Sequence, residues 1–330
     1  DIGIAMGLRG NDVAKEAAHM ILTDDNFSSI VAAIEEGRAV FDNIKRFAAY
    51  VLNSNPQEMY PYIFWALFPG MPLAMTVMGV LAVDVGTDLI PAMGLGVEPP
   101  EEGIMERPPR RRDEKLLSLD FILRSYFVQG SLLAFSCYAT YYYMGWVLGA
   151  WRPGASFSAM PASPGGLKLN EASAEYLQTL TAYFFPTVTT QIANVLCKRS
   201  WKSSLFAKDF LSPGERSACL KAVAGWRPFL TGAAGRPRRH WWVMIRLSRF
   251  LDRHFILLNF VSNPLIDLGI LFELLLCYCF FYTPLARIYF FAPVPWHVYL
   301  FAFHGTILLF AFEEVKKYYR RKGHSLEFLG

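Results

Sequence analysis

Charge is scarce in this chain of 330 residues. Asp, Glu, Lys and Arg together make up 18% of it, against about 25% for an ordinary soluble domain, which speaks against a secreted or cytosolic enzyme. A disulfide framework is not indicated either. The five cysteines, Cys137, Cys197, Cys219, Cys277 and Cys279, are odd in number and mostly lie inside apolar stretches. None of them has metal-ligand spacing. No P-loop pattern occurs, and no basic, apolar, small-residue leader precedes the first motif. The chain starts at Asp1 and reads as part of a longer polypeptide or as a gene model that lost its beginning. No nucleic-acid partner is expected.

What the chain has instead is apolar sequence. It is 53% hydrophobic and 15% aromatic. The apolar residues fall into blocks at 47–69, 71–97, 121–149, 177–197, 255–282 and 295–312, close to the ~20 residues that span a bilayer. The turn Pro69-Gly70 makes a hairpin of the first two. The loop after the second block holds Arg107, Arg110, Arg111, Arg112 and Lys115, the loop at 198–254 is basic, and the tail at 316–330 holds Lys316, Lys317, Arg320, Arg321 and Lys322. The loops at 150–176 and 283–294 hold only Arg152, Lys168 and Arg287. The positive-inside rule therefore puts both chain ends and both basic loops in the cytoplasm. The expected fold is mainly α, a polytopic membrane protein with six transmembrane helices.

Residues 1–25 are more polar. Asp1–Gly7 alternates like a short strand, Asn11 or Asp12 can cap a helix through Met20, and MILTDD returns as a strand. From Asn26 a helical pattern runs with no proline before Pro56, so the stalk at 26–46 is expected to enter the membrane as one rod through residue 66. In the loop at 198–254, Arg239, Arg246, Arg249 and Arg253 share a face, which reads as an amphipathic helix on anionic lipid.

Ionisable groups inside a span mark function by default. The first block carries Ser54, Asn55 and Glu58, the second Asp84 and Asp88, the fourth Gln191 and Asn194, and the fifth Asp267 and Glu273. Asp84 and Asp88 are four apart, and Asn55 and Glu58 three apart, so each pair shares a helix face. The hairpin can bring these four to one depth. Pro56, Pro61, Gly86 and Pro91 are expected to loosen both helices and free carbonyl oxygens there. An all-oxygen set suits Na⁺, K⁺, Ca²⁺ or H⁺, not a transition metal. The bland alternative is polar glue between helices, which fits one amide better than several carboxylates. Glu313 and Glu314 are expected at the membrane interface, and His304 in a core position.

These residues lie in long motifs. DIGIAMGLRGNDVAKEAAHMILTDDNFSSIVAAIEEGRAVFDNIKRFAAYVLNSN, LAVDVGTDLIPAMGLGVEPPEEGIMERPPR, TAYFFPTVTTQIANVLCKRS and PWHVYLFAFHGTILLFAFEEVKKYYRR resemble the C-terminal part of cation-transporting P-type ATPases, in particular the catalytic subunits of the Na⁺,K⁺- and H⁺,K⁺-ATPases. The resemblance covers nearly the whole chain except about 212–256. It implies that 1–25 closes a Rossmann-like phosphorylation domain. It implies an ATP-driven pump of the plasma membrane, with Na⁺ and/or K⁺ as cargo and Ser54, Asn55, Glu58, Asp84 and Asp88 as ligands. A further sodium site is implied at Tyr50, Gln191, Asn194 and Glu273.

Two departures stand out. Asn194 replaces a usual aspartate, and the family's SNxPE pattern reads Ser54-Asn55-Pro56-Gln57-Glu58. The proton–potassium branch tends to carry lysine where Ser54 stands, so the resemblance favours the sodium–potassium type. The loop at 150–176 lacks the family's contact motif for an accessory β subunit. The DKTG motif, nucleotide-binding domain and TGE motif are absent, as is the Pro-broken span that supplies the other half of the ion site. Mg²⁺ and ATP therefore belong to the full-length parent, and this polypeptide alone is not expected to hydrolyse ATP. A passive six-span channel or carrier, and a truncated membrane scaffold, are the competing readings.

Overall fold

The structure is a computed structural model. It describes residues 2–68, 72–101, 103–110, 115–147, 174–201, 204, 206 and 263–322. The loop expected to lie on anionic lipid, beyond residue 206, and the start of the fifth apolar block, 255–262, fall outside them.

The polar N-terminal segment forms a small βαβ unit. Strands β1 (Ile4–Met6) and β2 (Met20–Leu22) pair in parallel, Ile4 against Met20 and Met6 against Leu22. Helix α1 (Asp12–Ala17) crosses between them, capped by the Asn11 side chain, which accepts from the Val13 amide. The helix stops short of Met20, because the Gly3 carbonyl already takes the His19 and Met20 amides into the sheet connection. Two strands of three residues are all the sheet the described residues contain.

Helix α2 (Ser28–Leu67) then runs for 40 residues, about 60 Å at 1.5 Å per residue. Pro56 and Pro61 lie inside it and the helix continues through both, which corrects the expectation that it loosens there. Pro61 has no N–H for the Gln57 carbonyl four residues back. The buried Tyr183 hydroxyl supplies that donor instead, at 2.7 Å. Against Pro56 packs Gly130, where any Cβ would collide with the proline ring.

The loosening occurs in the second helix of the hairpin. Helix α3 (Val77–Leu81) begins at the Thr76 cap, not at residue 71. It passes into a π-helical turn (Ala82–Thr87) and then into α4 (Leu89–Gly96). The Asp88 amide donates to the Val83 carbonyl, five residues back. Such π-turns occur frequently at functional sites. A second one (Ser125–Gly130) separates α5 (Leu119–Arg124) from α6 (Ser131–Val147).

Helices α7 (Ala174–Lys198), α8 (Pro264–Tyr282), the short α9 (Leu285–Tyr289) and α10 (Trp296–Arg321) complete the bundle. Asn263 caps α8 with Pro264 at the first helical position. Helix α7 lies between α6 and α10 and also meets α2 and α8, while α8 packs on α4. Pro91 meets Gly269, where an added Cβ would lie 2.9 Å from the ring. Close approach through small residues is the packing mode of membrane helices. The core is strongly aromatic, with Tyr138, Tyr141, Tyr183, Phe184 and Phe281 buried together.

Three helical stretches among the described residues are long and apolar enough to cross a membrane: Val77–Gly96, Pro264–Tyr282 and Trp296–Arg320. The other apolar blocks are helical too. Helices α2 and α7, however, carry many buried polar side chains, among them Asn53, Gln57, Thr187 and Gln191.

Candidate cation site

Helix α2 presents Tyr50, Ser54 and Glu58 on successive turns of one face, all buried. Helix α4, which starts directly after Asp88, packs against α2. Asp88 is buried, and its charge and that of Asp84 both act on Glu58. Asp84 itself is exposed, so the hairpin closes round Glu58 and Asp88 and leaves Asp84 on its open side. Glu273 of α8, fully buried, approaches Asp88. Among the described residues, no three Asp, Glu, His or Cys side chains converge tightly enough to hold a metal ion by themselves. A cation bound here therefore needs hydroxyl, amide or carbonyl oxygens as well.

The hydrogen bonds decide which groups are available. Ser54 donates to the Val51 carbonyl at 2.9 Å, which fixes the hydroxyl and leaves its lone pairs for a ligand. Asn55 donates to the Tyr126 hydroxyl at 2.8 Å, leaving its carbonyl oxygen uncommitted. Tyr50 Oη, Glu58 Oε1, Asp88 Oδ1, both polar atoms of Gln191 and both oxygens of Glu273 are buried with no hydrogen-bond partner. A buried polar atom left so costs about 1–3 kcal/mol, more if charged. A concentration of them in one region demands an explanation.

Asn194 behaves differently. Its Nδ2 donates to the Tyr50 carbonyl at 3.1 Å and its Oδ1 accepts from Asn53 at 3.2 Å. The amide is committed to stitching α7 to α2, and Tyr50, Gln191 and Glu273 remain as the open members of that set. Asp267 is half-buried near the start of α8. His304 is half-buried on α10, its ring nitrogen against the Phe301 carbonyl; no core enclosure is found.

Sequence reasoning missed the polar network at the other end of the bundle. Glu313, expected at the interface, is buried and pairs with Lys198 at 2.8 Å. Gln129 joins both, donating to Glu313 and accepting from Lys198 and Asn53. Nearby, Glu98 accepts from Arg199 at 2.6 Å and from Asn263 at 3.0 Å. Glu101 binds Arg46 at 2.9 Å, Arg107 at 3.1 Å, the Ser200 hydroxyl and the Trp201 amide. Burial pushes the Glu101 carboxyl up, but Arg46 and these donors outweigh it and hold it below the usual range. The only advance signal was the charge of these residues beside apolar blocks, which points equally well to solvent.

Residues 72–220 match the family model for the C-terminus of cation transporting ATPases. Together with the relatives that follow, this match supports a C-terminal part of a P-type cation-transporting ATPase alpha subunit. It is 35% identical over 219 residues to a potassium-transporting ATPase alpha chain 2 of Oryctolagus cuniculus, covering 62% of this chain and 20% of that protein. It is 34% identical over 263 residues to a sodium/potassium-transporting ATPase subunit alpha of Hydra vulgaris, covering 74% and 25%. Against the subunit alpha-3 of Gallus gallus it is 44% identical over 143 residues, covering 43% and 14%. This chain thus spans a quarter or less of the length of each of these relatives. The matched domain and the long apolar helices indicate a membrane protein.

Proposed function

We propose that this chain forms the ion-binding membrane part of an ATP-driven cation pump of the sodium–potassium type, in the plasma membrane. In this reading six helices span the bilayer with both ends cytoplasmic. Ser54, Asn55, Glu58, Asp84 and Asp88 bind the transported ion. Tyr50, Gln191 and Glu273 contribute to a further sodium site whose geometry Asn194 sets. The observation that carries the proposal is the group of buried, unpartnered oxygens on Tyr50, Glu58, Asp88 and Glu273. A hard cation satisfies such oxygens directly, whereas a purely structural cluster would already be paired. Serine at 54 favours sodium–potassium exchange over the proton–potassium type. Phosphorylation, with its ATP and Mg²⁺, belongs to sequence other than these residues. An accessory β subunit is an expected partner of the parent.

The 40-residue helix α2 gives the coupling a physical form. It joins the βαβ unit at one end to Glu58 within the bundle, so a movement of the unit tilts or shifts the ligands. That is the arrangement by which two distant sites can bias one two-state element. The test is Asp88→Asn in the complete pump, read as cation-stimulated ATP hydrolysis and as ion flux. Loss of both supports coupled transport. Flux that persists with no ATP dependence in the unsubstituted protein would support a passive channel instead, and unchanged cation dependence in the variant would remove Asp88 from the site.

A further inference from the structure

A cavity of about 700 Å³ lies between helix α2 and the segment 104–110 that follows the hairpin, within the 300–1,000 Å³ common for small-molecule sites. It is distant in sequence from the cation ligands, and the pump reading makes no use of it. Its walls are mainly apolar. Ile34 and Phe41 of α2 form one side, and Ile104, Pro108 and Pro109 the other. Ile34 is 45% exposed, so an apolar side chain of α2 is left uncovered.

Arg38, Arg107 and Arg110 line the cavity together with the carboxylate of Asp42 among the described residues. Arg107 is neutralised, at 2.6 Å from Asp42 and 3.1 Å from Glu101. Arg110 lies 3.9 Å over the Phe41 ring. Arg38 is the informative residue. Its Nη1 donates to the Ile104 and Arg107 carbonyls, both at 2.8 Å. Those neutral partners fix the guanidinium without cancelling its charge, and its Nε and Nη2 groups make no other hydrogen bond among the described residues. A fixed fork of donors with positive charge is what a carboxylate or phosphate recognises.

We propose that this cavity binds an anionic amphiphile, with its carboxylate or phosphate head on Arg38 and its apolar body between Ile34, Phe41 and Ile104. Such a ligand would bridge α2 to the segment 104–110 and so act on the helix that carries Glu58. The site stands whether or not the chain pumps ions, because it uses only this cavity.

Position 37 gives a clean control. Gly37 lines the cavity, and a Cβ built there meets nothing within 4 Å. Gly37→Leu fills the space, keeps the charge, and replaces a poor helix former by a good one, so the variant should fold at least as well. The experiment titrates hexyl phosphate into the purified 330-residue chain in detergent, by calorimetry, with inorganic phosphate and hexanol as half-ligands. We expect one site for hexyl phosphate, weakened about tenfold or more by Arg38→Gln, as the loss of a charge-assisted hydrogen bond implies, and abolished by Gly37→Leu. Binding of inorganic phosphate or of hexanol as tight as that of hexyl phosphate would overturn the proposal, as would unchanged binding by Gly37→Leu. A second arm places the chain in nanodiscs containing phosphatidic acid or phosphatidylcholine. Displacement of hexyl phosphate by phosphatidic acid alone assigns the head group to a lipid. Retained binding in both assigns it to a soluble anion.

Discussion

Two polar regions share this bundle and treat their charges in opposite ways. At the end near Arg46, Lys198 and Glu313, each buried carboxylate has a cation or amide partner. Glu313 has Lys198, Glu98 has Arg199, and Glu101 has Arg46 and Arg107. Around Glu58, the carboxylates face one another across α2, the π-turn and α8, and their oxygens include several with no donor. Chemically similar side chains thus serve two purposes. A closed network holds helices in register, whereas an open one is built for something that arrives. The distinction lies in whether the carboxylates have cationic or amide partners, not in residue type.

The largest effect that would break this comparison concerns cation affinity. In the complete pump, Glu58→Gln and Asp88→Asn should each weaken cation activation about 100-fold or more, the upper range for disturbing even the outer shell of a metal site. The same substitutions should leave the thermal midpoint of the cation-free protein unchanged or raised, because an amide relieves a buried unpaired carboxylate. A matched loss of stability and affinity would place Glu58 and Asp88 with the structural network.

The converse variants come next in size. Glu101→Gln leaves Arg46, 1% exposed, without its counter-charge. Removing one member of a buried pair costs about 3–5 kcal/mol. Glu313→Gln should act likewise through Lys198. Both should lower the unfolding midpoint in denaturant while cation affinity per folded molecule stays the same. A normal midpoint with altered affinity would join the two regions into one functional unit.

The helical blocks were legible because hydrophobicity over ~20 residues is a strong signal, and the rod from Ser28 to Leu67 was legible because no breaker interrupts it before Pro56. Glu58, Asp88 and Glu273 stood out as charges inside apolar blocks. What the sequence concealed depends on partners far away in the chain. The Gln57 carbonyl freed by Pro61 is taken by Tyr183, 126 residues later, so a proline that reads as a source of ligand oxygens supplies none there. The π-turn at Ala82–Thr87 has no sequence mark beyond Gly86. Glu313 reads as interfacial because Lys198, 115 residues away, cannot be foreseen beside it. Asn194 reads as an impaired ligand, and only its two hydrogen bonds to α2 reveal its second role.

Asn194 gives a smaller, sharper test, since it lies where the two regions meet. Asn194→Asp removes the donor to the Tyr50 carbonyl and sets two oxygens against each other. In choline chloride the α2–α7 seam should weaken by about 1–3 kcal/mol, the cost of an unmade buried hydrogen bond. In sodium chloride the loss should shrink, because a cation can bridge the carboxylate and the Tyr50 carbonyl, and sodium affinity in the complete pump should rise. Thermal unfolding in the two salts reads this directly. Equal losses in both would mean that no cation reaches position 194.

The smallest expected effect lies outside both regions, in the βαβ unit. Asp25 sits at a positive φ of 51°. Its two oxygens accept from the Leu8 and Arg9 amides at 2.9 and 2.8 Å, tying the end of β2 to the turn after β1. The Leu8 amide leads the groups that hold its carboxyl below the usual range. The folded value is therefore lower than the unfolded value of about 3.9. The sign follows from linkage: the contribution is fully present above the unfolded value and is lost as pH falls through the folded one. Amide exchange at Leu8 and Arg9, corrected for its intrinsic pH dependence, should stay protected at pH 5 and lose protection as the pH falls below about 3.9. Asp25→Asn keeps one acceptor oxygen, so it should reduce protection at pH 5 and flatten the acid dependence. Because the group lies near the surface, the effect on global unfolding should be slight. A full acid dependence surviving in the variant would assign the titration to Asp24, whose carboxyl is also held low, chiefly by the Ser29 hydroxyl.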